Sequence, residues 1–374
     1  MKLLQVSTTI LLLFVPGSCS IAQEVRKAPP TLERLSDRWT WAVSQAGDAQ
    51  FKRGGWIAYS IERLMGEDSW IGSFRTYSGK DEISLHEIIT GIHLENPAEN
   101  LRQTARKALS RSERKQTEKK VIKEVAFLFR FSDPSSVEDH IQEIQPTNIG
   151  LSVDLERLPL MWLGKATNDE SLDLLKGLFQ ESSSSKQKRR VIMAYGMHDS
   201  PRAFGLLKGI IEGDDQADVR SDAVFWIGRQ NSREALGFLS GIARKEESRK
   251  VAEQAVFAIS QIQTEDATDV LIDLGKNGPT RDLRKKAVFW LGQHASKKAV
   301  ESLRDFVYDN EDVEVQKQAV FALTQLDHGE GVTEIIKIAK SHANPAVRKQ
   351  AIFWLGQSDD PRAFETIVEI AKGK

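Results

Sequence analysis

The apolar positions of the second half of this chain repeat with a fixed period. Four stretches that share one pattern of aliphatic, aromatic and glycine residues begin 64 residues apart, at Pro159, Ala223, Ala287 and Ala351. Three related stretches begin midway between them, at Val191, Ala255 and Ala319, so the true period is 32 residues. A period of this size predicts stacked supersecondary units that share one continuous core.

Each unit has the pattern of two amphipathic helices joined by a short polar turn. In the unit that starts near Leu283, the side chains of Leu283, Ala287 and Leu291 fall on one helical face. Ala299, Leu303 and Phe306 do the same for a second helix. Such a hairpin must bury its apolar side against its neighbours, so we predict a mainly α fold, with an α-solenoid of about seven 32-residue repeats over residues 155–374.

The residues ahead of the repeats have a different pattern. Val121–Phe131 and Val137–Ile144 are rich in β-forming residues and flank a polar turn, which predicts a β-hairpin. Residues 32–154 are therefore predicted to form a small, partly β, α+β domain, preceded by a linker at 23–31. Within it, residues 101–120 are predicted as a basic helical connector, either simply solvated or an arm for an acidic partner.

The first residues have the pattern of an export signal. Lys2 precedes an apolar run from Ile10 to Val15, and Ser20-Ile21-Ala22 supplies small residues for cleavage. The run is too short to cross a bilayer, and no later stretch supplies a membrane span. We therefore predict a signal peptide over residues 1–22 and an exported protein, in the periplasm or outside the cell.

The only cysteine, Cys19, lies within that signal. Cleavage after Ala22 removes it, so the mature chain has no disulfide and no thiolate metal ligand. A lipoprotein anchored through Cys19 is the alternative, which Pro16 disfavours because such signals usually carry leucine there.

Composition and motifs give no catalytic chemistry. Lys plus Arg is 52 against 53 for Asp plus Glu, so no global charge attracts nucleic acid, and we predict no nucleic-acid partner. The seven histidines are scattered, no pair stands at helical metal-ligand spacing, and neither a nucleophile elbow nor a phosphate-binding loop is present. The sequence thus predicts no catalytic residue, no metal, no cofactor and no enzymatic activity.

Three columns of the repeat are candidates for packing or binding. The first alternates Trp with Ala on the predicted buried face and is interpreted as structural packing, through Trp162, Trp226, Trp290 and Trp354. The second is an apolar column on the opposite face, either covered by another element or exposed to a partner, made of Phe225, Phe257, Phe289, Phe321 and Phe353. The third is polar and provides either helix caps or hydrogen bonds to an extended peptide, through Gln261, Gln293, Gln325 and Gln357.

The repeat motif resembles a known family. The pattern V-R-x-x-A followed by Asp360-Pro361-Arg362-Ala363, seen in part as Ser200-Pro201-Arg202-Ala203, is similar to the short bacterial HEAT repeats also found in phycobilisome-lyase-like proteins. The whole chain also looks like exported bacterial HEAT-repeat proteins, through GWIAYSI at Gly55 and PLMWLG at Pro159. The first resemblance implies the solenoid fold and covers about Leu155 to the C-terminus.

These observations favour an exported, non-enzymatic scaffold that binds a protein or peptide partner. One alternative is an enzyme or lyase-like protein with a site between the N-terminal domain and the first repeats, where Trp56, Trp70, His86 and Glu87 are the candidates. A further alternative is a structural subunit of an envelope complex. The sequence leaves the oligomeric state and the partner's identity open.

Overall fold

A computed structural model describes residues 24–72, 84–91, 119–132, 137, 141–294, 296–326 and 330–372. The chain divides into two compact units, one ending at Ala203 and the other beginning at Phe204. The predicted signal peptide and nearly all of the predicted basic connector lie outside the described residues.

The first unit is built on a five-stranded sheet with the order β1-β5-β2-β3-β4. β2 and β3 pair antiparallel along their whole length, β3 and β4 pair antiparallel, and β5 lies parallel to both β1 and β2. The strands span Val25–Lys27 (β1), Gly55–Gly66 (β2), Lys120–Phe131 (β3), Ile141–Asn148 (β4) and Leu160–Lys165 (β5). The predicted hairpin is therefore present as β3 and β4, while the predicted linker at 23–31 contains β1.

Both faces of this sheet are covered. On one face Trp56, Ala58 and Leu128 pack against Leu85 and Ile88 of helix α2 (Leu85–Thr90). On the other face the ring of Phe129 lies 5.1 Å from that of Trp39 in helix α1 (Leu35–Gln45). Burial on both sides explains why β2 is apolar almost continuously in its first half rather than alternating.

The stretch PLMWLG at Pro159 forms a strand, although the solenoid of helical repeats was predicted to cover residues 155–374 and so to include it. In register with helix Arg281–Leu291, four repeats later, a helix here would begin near residue 153 and place Pro159 in its interior. Proline breaks a helix at that position. Leu160, Met161 and Leu163 are instead buried in β5, and the sheet extends to Lys165, past the predicted boundary at residue 154.

The helices that follow form consecutive hairpins. They are α3 (Asn168–Glu181), α4 (Ser185–Gly196), α5 (Pro201–Gly213), α6 (Ala217–Gly228), α7 (Arg233–Lys245), α8 (Arg249–Ser260), α9 (Glu265–Asn277), α10 (Arg281–Leu291), α11 (Lys297–Asp309), α12 (Val313–Leu323), α13 (Glu330–Ser341), α14 (Pro345–Leu355) and α15 (Pro361–Ala371). From α4 onward the even-numbered helices are the first helices of the repeats, and the odd-numbered ones are the second helices. The predicted fold class, an α-solenoid of HEAT-like repeats after a small α+β region, is confirmed.

Polar side chains cap the N-termini of several of these helices, and two columns of apolar residues form the core. Ser232, Thr264 and Ser296 each accept a hydrogen bond from a backbone amide three residues later, which caps α7, α9 and α11. The entry column Val219, Val251, Leu283, Val315 and Val347 is buried, as is the alanine four residues later in each repeat. Among the described residues, no helix is long and apolar enough to cross a membrane.

Candidate functional site

Five first helices of the second unit present aromatic rings away from the core. In α10, Phe289 follows the buried Ala287 by two residues, and at about 100° per residue it points to the far side of the helix. Each of these helices repeats that placement. We call the resulting set the aromatic ladder; it comprises Phe225, Trp226, Phe257, Phe289, Trp290, Phe321, Phe353 and Trp354.

The rings of the aromatic ladder contact one another without a gap. Neighbouring centroids lie 4.8 to 6.3 Å apart, in the order Trp226, Phe225, Phe257, Trp290, Phe289, Phe321, Trp354, Phe353. Phe225 and Phe257 are parallel to within 6°, and Phe289 and Phe321 to within 7°. Five helices thus share one row of touching rings, in the distance range that aromatic pairs favour.

The ladder is partly exposed along its whole length. Four of its phenylalanines are half-buried, and Phe353 is 55% exposed. Rings on successive helices shield one another, with centroids 4.8 to 6.3 Å apart. The phenylalanine column is therefore neither fully covered nor fully exposed, the two alternatives that the sequence left open.

The tryptophan column differs from its predicted place on the buried face. Trp162 is buried, but in β5 rather than in a helix. Trp226, Trp290 and Trp354 are half-buried and belong to the ladder, which corrects their assignment to core packing. The position lies at the border of the buried face, where an alanine is fully covered but an indole reaches past the edge.

A close approach between helices explains why tryptophan and alanine alternate. A Cβ added to Gly228 would lie 2.8 Å from the Cβ of Ala258, and one added to Gly292 would lie 2.9 Å from that of Ala322. The equivalent positions in the intervening repeats are Ser260 and Thr324, and the repeats after these carry Trp290 and Trp354. Glycine and alanine thus meet at every second junction, and tryptophan occupies the junctions between.

The glutamine column runs beside the ladder. Gln261, Gln293, Gln325 and Gln357 are exposed and follow each phenylalanine by four residues, about one turn along the helix. The side chain of Gln261 donates to Ser260 Oγ at 3.2 Å, and that of Gln325 to Thr324 Oγ1 at 2.9 Å. In these two repeats the amide bonds a neighbouring hydroxyl rather than a helix-end carbonyl, and all four glutamines stay exposed.

A lysine column runs along the other side of the ladder. Lys285, Lys317 and Lys349 precede Phe289, Phe321 and Phe353 by four residues. Lys317 pairs with Glu314 at 2.8 Å, and in the described residues neither Lys285 nor Lys349 forms an ion pair within 4.0 Å. The 32-residue spacing of these lysines is visible in the sequence, but it was not among the predicted columns because solvated lysines are common on helix surfaces.

A groove of about 570 Å³ opens between α8 and α10. Phe257 and Trp290 line it, together with Gln254 and the charged side chains Arg249, Lys250, Glu253 and Lys286. Arg249 pairs with Glu253 at 2.6 Å and with Asp282 at 3.0 Å, and Lys286 lies 3.6 Å from Glu253. Lys250 pairs with Asp218, so each of the three cations that line the groove has a carboxylate partner.

The candidates of the alternative site do not assemble into a reactive cluster. The Glu87 carboxylate accepts hydrogen bonds from the backbone and the hydroxyl of Ser84, which is the cap of α2. Trp56 is buried and donates to the carbonyl of Leu155, while Trp70 lies under the ammonium of Lys123 at 3.7 Å. In the described residues no three His, Cys, Asp or Glu side chains are placed to hold a metal ion.

A buried polar chain joins the sheet to α3 and α4. The Tyr59 hydroxyl lies 2.7 Å from Ser171 Oγ, and Ser171 Oγ lies 2.8 Å from His198 Nε2. His198 Nδ1 lies 2.8 Å from the carbonyl oxygen of Ala194, which can only accept, so Nδ1 carries the proton and Nε2 accepts from Ser171. Ser171 in turn accepts from Tyr59.

This chain is closed to solvent and holds its histidine neutral. Burial lowers the pKa of His198 to about 4. Hydrogen bonds to backbone carbonyls raise this pKa, and the nearby charge of Arg63 lowers it further, but burial has the largest effect. The His198 ring stacks on Phe127 at 5.3 Å. The sequence gives no sign of this cluster, because Tyr59 lies 112 residues from Ser171 and the three residues share no motif. The serine and histidine resemble a nucleophile pair, but their burial makes them a structural connection.

Comparisons with known proteins agree with this repeat fold. Residues 205–284 match the model of HEAT repeats, and residues 347–373 match the model of the PBS lyase HEAT-like repeat. The predicted resemblance to HEAT repeats of the phycobilisome-lyase-like type is therefore confirmed. A search of curated proteins gives no match.

Two solved structures are similar to part of this chain. The complex of CpcE and CpcF of phycocyanin lyase from Nostoc sp. PCC7120 has a TM-score of 0.32 and 18% identity, covering 49% of this chain and 75% of that one. Human deoxyhypusine hydroxylase in complex with glycerol has a TM-score of 0.23 and 15% identity, covering 54% and 89%.

One prediction is corrected by these findings. The sequence predicted no enzymatic activity because no catalytic motif is present, yet residues 347–373 match a repeat model named for a lyase. Repeats of this kind therefore occur in proteins with enzymatic function, and a missing side-chain motif does not exclude activity. The similarity, although distant, points to lyase activity as a property to test.

Proposed function

We propose that this HEAT-repeat protein binds a partner protein along its aromatic ladder. The observation that carries the proposal is the row of eight touching rings, none of them buried, across five successive first helices. A contiguous exposed apolar surface typically marks an interaction site. Aromatic side chains also contribute much of the binding energy at interfaces, because they bury a large area and lose little conformational entropy.

The polar columns fit this function. The lysine column and the exposed glutamines border the ladder on its two sides. An apolar centre with a polar rim is the usual arrangement of a protein interface. The glutamine amides then provide orientation, while the rings provide most of the affinity.

A capture experiment with matched variants tests this proposal. The chain without residues 1–22 is immobilised and exposed to an envelope extract, beside a variant with Phe257→Ser, Phe289→Ser and Phe321→Ser. Phe364→Ser is the control, because Phe364 is 71% exposed but lies on a second helix. We expect the parent and the control to capture the partner and the triple variant to lose it. The helical content of the triple variant should equal that of the parent, so that the loss does not reflect unfolding. Equal capture by all three removes the ladder as the site.

A lyase-like role is the second candidate function. It is supported by the match of residues 347–373 to the PBS lyase HEAT-like repeat, which covers α14 and α15 and thus one end of the ladder. In this role the ladder positions a protein substrate, and the chemistry takes place on the bound substrate.

Mass spectrometry of the captured partner tests the lyase role. A partner incubated with the chain is compared with the same partner incubated with the triple variant. A covalent mass change that requires the intact ladder is expected. An unchanged partner mass, with binding retained, leaves binding as the function and rejects the lyase role.

We further propose export, with cleavage after Ala22. The support is the sequence pattern of Lys2, the apolar run from Ile10 to Val15, and the small residues at 20–22. N-terminal sequencing of the protein from a bacterial host is expected to begin at Gln23. An uncleaved chain in the cytoplasmic fraction contradicts export.

A further inference from the structure

Asn277 is the only asparagine in the sequence that is followed by a glycine. It is the last residue of α9 and is exposed, whereas the following residue, Gly278, is buried. The backbone nitrogen of a glycine reaches the preceding asparagine side chain with the least hindrance, because glycine has no side chain of its own. The end of α9 therefore joins an exposed amide to the neighbour most able to attack it.

Hydrogen bonds restrain both groups in the folded chain. Asn277 Nδ2 donates to Asp273 Oδ1 at 2.8 Å, one helical turn earlier. The backbone N–H of Gly278 donates to the carbonyl oxygen of Leu274 at 2.9 Å. The carbonyl oxygen of Gly278 accepts from Arg284 Nη1 at 3.1 Å. The amide and the nitrogen that could attack it are thus both occupied while the last turn of α9 is intact.

The reaction open to such a pair needs only water. The Gly278 nitrogen attacks Cγ of Asn277 and forms a five-membered imide, and the side-chain nitrogen leaves as ammonia with the proton of the Gly278 amide. Water then adds to one of the two imide carbonyls, and the carbon–nitrogen bond at that carbonyl breaks. Cleavage at the former side-chain carbonyl gives aspartate. Cleavage at the former backbone carbonyl gives isoaspartate, in which the main chain runs through the side chain.

We propose that Asn277 is a site of spontaneous deamidation, and that the last turn of α9 controls its rate. The attack requires a Gly278 nitrogen that is released from Leu274, so it proceeds only from conformations in which this turn has opened. Helix ends open at a small cost in free energy, so the reaction does not require unfolding of the whole repeat. The inference is independent of the proposed function, since it concerns α9 and not the aromatic ladder.

Either product disturbs the junction between α9 and α10. A carboxylate at residue 277 lies one turn from Asp273 and at the C-terminal end of α9, where the like charge and the helix dipole both disfavour it. Isoaspartate also adds a methylene group to the main chain just before Gly278, whose carbonyl group is bonded to Arg284. Arg284 in turn lies 3.1 Å from Asp312, so the change reaches the N-terminus of α12. Aged protein should therefore unfold at a lower urea concentration than fresh protein.

Incubation at mildly alkaline pH tests the proposal on the chain without residues 1–22. Digests taken at intervals are analysed by mass spectrometry, beside a synthetic peptide of residues 272–283, which is too short to form a stable helix. We expect Asn277 to be the first asparagine of the folded chain to convert, at least about tenfold more slowly than in the peptide. Asn277→Gln should leave this segment unmodified over the same period, because attack on glutamine has to close a larger ring.

Two matched variants of α9 test the control by its last turn. Asp273→Ala removes the acceptor of the Asn277 amide and should speed deamidation of the folded chain by about threefold or more. Asp269→Ala is the control, because each aspartate pairs with a cation of a neighbouring second helix, Asp273 with Arg244 and Asp269 with Lys298. Asp269 lies about two turns from Asn277, so its removal should leave the rate unchanged.

Several outcomes overturn the proposal. Equal rates in the folded chain and in the peptide would show that the helix end exerts no control. Equal acceleration by Asp273→Ala and Asp269→Ala would reject the part played by the bond between Asn277 and Asp273. Earlier conversion of another asparagine, such as the exposed Asn231, would place the labile site elsewhere. An intact Asn277 in both the parent and Asp273→Ala, after the peptide has converted completely, would reject the site.

Discussion

Gly228 and Ala258 pack so closely that a methyl group on the glycine would stand 2.8 Å from the alanine Cβ and 3.0 Å from the alanine carbonyl oxygen. The second contact is with backbone, which cannot rotate away. The junction between α6 and α8 therefore depends on the absence of a side chain at residue 228, and the junction between α10 and α12 depends in the same way on Gly292.

Gly228→Ala is expected to lower the free energy of unfolding by about 1–3 kcal/mol, since overpacking at a closed contact forces the backbone apart. Gly237→Ala is the matched control, because it lies within α7 and an added Cβ meets nothing within 4 Å. It should raise stability by about 0.5–1 kcal/mol through helix propensity. Urea unfolding of both variants measures the difference, and equal effects would contradict the close packing.

Acidification should weaken the first unit through His198. The unfolded histidine titrates near 6.5 and the folded one near 4, so between these values only the unfolded chain takes up the proton. Lowering the pH through this window therefore lowers the free energy of unfolding, by up to about 3 kcal/mol.

Comparison with His198→Gln isolates this effect from the titration of carboxylates. The parent should lose more stability than the variant between pH 6.5 and 4, the window set by the pKa shift of His198. Nuclear magnetic resonance of the histidine ring protons gives the folded pKa directly. A His198 pKa near 6.5 in the folded protein would contradict the buried neutral state.

Ser171→Ala should destabilise more than Tyr59→Phe. Ser171 stands in the middle of the polar chain, so its removal takes a hydrogen-bond partner from both the Tyr59 hydroxyl and His198 Nε2. We expect a cost of about 1–3 kcal/mol for this buried loss and about 1 kcal/mol for Tyr59→Phe, which removes only the terminal donor. Urea unfolding measures both costs. The double variant should cost less than the sum of the two, because both remove the same bond.

Trp290→Ala should cost less than a fully buried tryptophan would. Truncation of a buried indole costs about 3–5 kcal/mol, and Trp56, which is 1% exposed, is expected to fall in that range. Trp290 is half-buried, so we expect about 1–3 kcal/mol for its truncation. Thermal unfolding of the two variants provides the comparison. An equal or larger loss of stability for Trp290→Ala would show that Trp290 is a core residue.

The sequence was sufficient for the repeats because their signal is redundant. The buried columns through Val251 and Ala255 recur at every period, so each copy supports the assignment of the others. The same redundancy led to the wrong element at Pro159, where the apolar pattern continues but a single proline changes the conformation. Periodicity reports which residues are buried, and the backbone restrictions of one residue decide between helix and strand.

The candidate site was only partly predictable. The phenylalanine and glutamine columns follow from spacing along one helix, whereas the contact of Phe257 with Trp290 joins two helices and depends on their packing. At the border of a buried face, the exposure of a residue depends on the size of its side chain. The angular position on the helix, which is what the sequence spacing gives, does not account for that size. The polar chain from Tyr59 to His198 required the fold, since its first contact joins Tyr59 to Ser171 across 112 residues and its second joins Ser171 to His198 across 27.

Glycine–alanine junctions alternate with tryptophan junctions along the stack, so each repeat fits only a neighbour of the other kind. Loss of one repeat would bring α10, with Trp290, directly after α6, where Gly228 now meets the small Ala258. Loss of two repeats would bring α12, with Ala322, to the same place and restore the fit. A protein of this design is therefore expected to grow and shrink in evolution by pairs of repeats, and its natural unit of duplication is 64 residues rather than 32.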